Sequence, residues 1–182
     1  VASQSNSAMR QNSTFIYTGA KTGSSAAIQY ERAEFGMYNF VLQGRTSAEL
    51  AADTGTNTPI GINIVHDASP GIPTGRIDLG NVRLSGFDLA IKCGQDINDS
   101  HCDESHWRRL SINKCGTGFQ CNNIQGLTHK FYDLRVSLTD VVFQYFAGGK
   151  LSVTDVFIGS ETTLLKLMND TPSGYGHNAS RW

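Results

Sequence analysis

The sequence predicts a mainly β protein with a minor helical part. One N-terminal amphipathic helix is followed by a β-solenoid-like or strongly bulged antiparallel β body carrying a disulfide-stapled insertion. Three observations carry that expectation. Apolar residues recur at three- and four-residue steps between residues 24 and 43, the period of one helix face. Five-residue units repeat from Ile77, each opening on an apolar residue with a second two positions later, which is strand alternation with a phase slip between units. All four cysteines, Cys93, Cys102, Cys115 and Cys121, fall within one short window, as in a disulfide framework.

Residues 1–23 read as a polar arm with one short strand at Thr14 to Thr18. Residues 24–52 form the helical segment. Ala26, Ala27, Tyr30, Ala33, Met37, Tyr38, Val41 and Leu42 share one helix face there, and Gly36 interrupts it. A shorter helix covers Ser47 to Ala52, with Thr46 as cap and Glu49 three residues on, the spacing of a capping box. The β-rich body spans residues 60–168, opening on the alternating Ile60, Ile62 and Ile64. Its regular beat is Ile77 to Asn81, Val82 to Gly86, then Phe87 to Ile91. In a solenoid each slip is a corner between short faces; in an antiparallel sheet each is a bulge. The same grammar returns from Val136 to Tyr145 and from Leu151 to Ser160, with Gly148-Gly149 suggesting a hairpin. Between them the insertion 93–129 is polar, and short loops favour the pairs Cys93–Cys102 and Cys115–Cys121. A polar tail, 169–182, ends the chain.

Composition removes some functions. The 182 residues carry 15 Lys and Arg against 16 Asp and Glu, a net charge of -1. That balance argues against a nucleic-acid partner, which needs a basic stripe. No apolar run reaches the roughly 18–20 residues of a membrane span. Clustered cysteines and an uncharged polar surface point to export and an extracellular or cell-surface location. Asn12, Asn98, Asn169 and Asn178 stand in sequons and are glycan acceptors only in a glycosylating secretory pathway.

Candidate chemistry is sparse. Cys93, His101, Cys102, Asp103, Glu104, His106, Cys115 and Cys121 can all ligate zinc, but no cysteine pair has compact zinc spacing. No nucleophile elbow is present, and no cofactor is implied. Asp78 and Asp88 are carboxylates that neighbouring turns of a β-helix would set at glycosidase distance. Trp107, Arg108, Arg109 and Tyr132 are candidate contacts to a partner or an anionic glycan. The plan of an N-terminal helix, a β body and a cysteine-bounded loop resembles the headgroup of a pilin-type filament protein. Ser5 stands where such a subunit has glutamate, and the hydrophobic start is missing. The leading expectation is a non-catalytic extracellular structural or adhesive subunit that self-associates or binds surface subunits or glycan. The alternative is a polysaccharide-cleaving hydrolase or lyase with paired carboxylates on a β-helix face.

Overall fold

The computed structural model describes residues 13–31, 35–65, 76–94, 104–122, 128–147, 150–159 and 163–167. In chain order these hold β1 (Ser13–Ile16), β2 (Ala26–Glu31), β3 (Phe35–Gln43), α1 (Ser47–Ala52), β4 (Thr58–Val65), β5 (Arg76–Ser85) and β6 (Phe87–Cys93). They continue with β7 (Glu104–Asn122), β8 (Thr128–Ala147), β9 (Lys150–Gly159) and β10 (Thr163–Leu167). Every pairing among these strands is parallel.

The register shows how the chain winds. Ile77 lies beside Ser105, Ser105 beside His129, and His129 beside Leu151. Each rung therefore rests on the one before, and β7 and β8 each run through a whole rung. Two columns of corners divide a rung into three faces. Asn39, Asn81, Arg109, Asp133 and Asp155 stand at positive φ in the first column, with Gly86, Lys114 and Leu138 in the second. Asn and Asp tolerate that left-handed geometry better than most residues, and Asn81 Nδ2 donates to Asn39 Oδ1 at 2.9 Å. The two columns stand five residues apart, at Asn81 and Gly86, Arg109 and Lys114, Asp133 and Leu138.

Inward positions stack by residue type down the core. Phe40, Val82, Leu110 and Leu134 lie in register on the second face, and all are buried. Trp107 stacks on Phe131 at 5.8 Å, and Phe131 meets Phe143 edge-on at 4.9 Å. In the rung of β3 and β4 the second corner is expanded. There Gly44 to Thr58 carries α1, sealed by the capping box that the sequence indicates: Glu49 N donates to Thr46 Oγ1, and Thr46 N to Glu49 Oε2.

The expected fold class is corrected in three respects. The helix expected over 24–43 is overturned, because residues 26–31 form β2 and residues 35–43 form β3, and the single described helix is short and internal. Phe40 and Leu42 point inward with period two, and stacking on Val82 and Leu84 outweighs the local helical periodicity. Without that helix the pilin-like plan has no basis. Nor is the body antiparallel: β8 and β9, either side of Gly148-Gly149, pair in parallel with Thr128 beside Lys150, so no hairpin joins them.

The disulfide-stapled insertion is the third correction. Residues 104–122 form β7 at the centre of the sheet. Cys93, Cys115 and Cys121 are buried thiols, none joined in a disulfide. Cys115 and Cys121 sit six residues apart on one extended strand, about 20 Å, where a disulfide needs Cα atoms roughly 4.4–6.8 Å apart. Cys93 lies in the core beside Cys121. Cys102 falls outside the described residues, as do Asn12, Asn98, Asn169, Asn178 and the tail 169–182. The β-rich character stands, whereas the disulfide argument for an oxidising compartment draws nothing from these three thiols. No described helix is long and apolar enough to cross a membrane.

Candidate functional site

The expanded second corner makes a cleft. Arg45 leaves β3 and is buried, its Nη1 donating to Thr54 O at 2.8 Å. Asp53 caps the C-terminus of α1 in the left-handed conformation. Its carboxylate meets Arg45 Nη2 at 3.6 Å and Lys114 Nζ at 3.3 Å. Lys114 Nζ also donates to Leu50 O at 2.6 Å, tying α1 to the corner two rungs below. These contacts hold the α1 segment as a wall over the third face and neutralise Asp53.

The floor beneath that wall is set by the strand register. Leu89, Thr117 and Val141 lie side by side on successive rungs, so the residues before them, Asp88, Gly116 and Asp140, form the adjacent row. The cleft has a volume of about 430 Å3, and Asp88, Gly116, Asp140, Asp53, Lys114 and Arg45 contribute to its lining. Asp88 and Asp140 are exposed, and no described side chain engages either carboxylate. Gly116 leaves the strip between them bare. A Cβ there would stand 2.7 Å from Asp88 O, so the floor is already packed backbone to backbone.

Two acids two strands apart stand about 9–10 Å from each other at the ~4.8 Å strand spacing, near the 6.5–9.5 Å carboxyl separation of inverting glycosidases. The cleft does not favour thiol chemistry. Burial pushes the Cys115 thiol, in its wall, up to about 12, which leaves it protonated.

The sequence candidates separate. Asp78 and Asp88 belong to the same rung but to different faces, so they are not a pair. Asp88 is paired instead with Asp140, a residue that sequence reasoning did not single out. Its position in the 136–145 block gave no signal until the register of β6, β7 and β8 was known. Trp107 lies fully buried in the core, and its Nε1 donates to Ser105 Oγ at 2.7 Å, so it presents no surface for a ligand. Arg109 occupies a corner and lines a small pocket with Arg83, Ser111 and Arg135. Arg108, Tyr132 and Asp78 come together on the first face, where Arg108 pairs with Tyr132 in register and its Nη2 lies 4.0 Å from Asp78 Oδ2. Among the described residues no three His, Cys, Asp or Glu side chains are grouped to hold a metal; His101, Cys102 and Asp103 are outside them. Comparison with family models, with curated proteins and with solved structures found no match to this chain.

Proposed function

We propose that the chain cleaves a polysaccharide by inverting hydrolysis in the cleft beneath α1, with Asp88 and Asp140 as the carboxylate pair. The observation that supports this most directly is the row Asp88, Gly116, Asp140, two unengaged acids across a bare glycine. A glycosidic bond laid over Gly116 would have one carboxyl on each side. One acid gives its proton to the leaving oxygen as the C–O bond breaks. The opposite carboxylate takes a proton from a water that attacks the anomeric carbon, so the configuration inverts. Polar lining from Asn57, Lys114 and Arg45 suits sugar hydroxyls better than an apolar ligand.

The test is a reducing-end assay over neutral and acidic polysaccharides, with the product anomer followed by NMR. Asp88→Asn and Asp140→Asn should each lower kcat by about 10²–10⁴-fold, the usual worth of one acid–base group, and fresh product should carry inverted configuration. Cleavage indifferent to both substitutions would remove the cleft from the mechanism.

A further inference from the structure

On the second face the register sets Arg83, Ser111 and Arg135 side by side on successive rungs. Arg109 joins them from the first corner, and with Asn81 and Asp133 they line a pocket of about 190 Å3. Three guanidinium groups therefore share one small space. Asp133, the one described carboxylate in its lining, meets Arg135 Nε at 3.3 Å. Arg83 and Arg109 meet no carboxylate among the described residues, whereas Arg45, Arg76 and Arg108 each lie within 4.0 Å of an aspartate. Arg83, Arg109 and Arg135 are all exposed, so a ligand in solvent reaches their donors. Like charges held together repel. An oxyanion between them removes that cost and accepts from several N–H groups at once. Ser111, short and half-buried between the two arginine strands, leaves room for such a group and adds a hydroxyl donor. Arg109 also holds positive φ in a column otherwise given to Asn39, Asn81, Asp133 and Asp155, whose short side chains suit that geometry better.

The basic row and the acidic row of the cleft belong to the same rungs. Arg83, Ser111 and Arg135 precede Asp88, Gly116 and Asp140 by five residues each, at most about 17 Å of extended chain. The second corner lies between the rows, and Leu138, exposed there, also lines the cleft. A glycosidic bond over Gly116 with one acid on either side sends its polymer along the strands, and so round this corner towards Ser111. A free anion has no use for that alignment; a polymer does.

We infer that the arginine pocket is an acidic-sugar subsite, which receives a carboxylate or sulfate group of a polysaccharide whose chain continues into the cleft. The inference rests on the reading of the cleft for the polymer, and on Arg83, Arg109 and Arg135 for its charge.

Affinity electrophoresis of the full chain tests it in gels containing polygalacturonate, dextran sulfate or neutral dextran, with mobility referred to a polymer-free gel. At least one acidic polymer should retard the chain more strongly than dextran. Arg83→Gln with Arg135→Gln should raise the apparent dissociation constant at least about tenfold, because each change removes charge-assisted hydrogen bonds. Arg76→Gln with Arg108→Gln removes the same charge from the first face and should leave the retardation intact. No loss in the first pair, or equal loss in both pairs, would overturn the inference, as would retardation by dextran alone or by no polymer. Inorganic phosphate bound in calorimetry and lost with Arg83 and Arg135, without retardation in either acidic gel, would assign the pocket to a free anion and overturn it too. Retardation in an acidic gel with no cleavage in the reducing-end assay sustains the pocket and removes the hydrolase reading. Cleavage of neutral polymers alone, without retardation in the acidic gels, keeps the hydrolase and removes the pocket. Melting curves of each variant exclude misfolding as the cause.

Discussion

Ser105 organises the polar chain inside the core. Trp107 Nε1 donates to Ser105 Oγ at 2.7 Å, and the same oxygen lies in hydrogen-bond contact with His129 Nδ1 at 2.6 Å. His129 Nε2 in turn lies 3.4 Å from Cys121 Sγ, which extends the polar chain to the next strand. Ser105→Ala strips a partner from two buried groups and should lower the unfolding free energy by about 2–4 kcal/mol, read by denaturant titration. The same network explains why the sequence hid the site of Trp107. Ser105 and His129 occupy inward positions normally filled by apolar residues, so the beat that marks Ile77 and Leu79 is invisible around Trp107. On the outer side, hydrogen bonds first from Lys130 and then from His106 hold the Glu104 carboxyl down to about 2. A depressed folded value stabilises the protein above the unfolded value near 4.5 and is lost as pH falls from there towards 2. Melting temperature should therefore drop over that window, and Glu104→Gln should flatten this part of the profile. The effect is small in salt because the pair is exposed.

Among the elements, the clearest written signals were short ones. Thr46 and Glu49 specified the start of α1 because a capping box is a contact between near neighbours. The phase slips at Asn81 and Gly86 coincide with residues at positive φ, where the chain turns. By contrast, β7 resembles an insertion in the sequence because Ser105, Cys115 and Cys121 stand at its buried positions. In β3, Tyr38, Val41 and Leu42 fit a helical face as well as a strand, and only stacking on β5 decides between the two periods. The row of Asp88, Gly116 and Asp140 was illegible for the same reason, since it depends on register across β6, β7 and β8. Gly116 gives an element-scale prediction. Gly116→Ala places a methyl against the Asp88 carbonyl, so β6 and β7 must part locally. Cleavage should fall in the reducing-end assay, with a melting curve on the same preparation showing that the chain still folds.

Over the whole molecule, parallel pairing gives each interior strand a neighbour on both sides, and the core grows by addition of rungs. The length of a rung varies although its faces do not. Phe35 meets Ile77 and Glu104 meets Thr128, spans of 42 and 24 residues. The difference resides in the segments between faces, not in the strands. At the second corner three rungs turn on a single residue, Gly86, Lys114 or Leu138, where the rung above uses Gly44 to Thr58. The wall of the cleft is thus an appendage hung on a corner that needs only one residue. Its sequence can change, lengthen or be exchanged without disturbing the register beneath, while Asp88 and Asp140 stay fixed by the sheet. A lineage built on this coil could alter what fits under the roof and keep the floor unchanged.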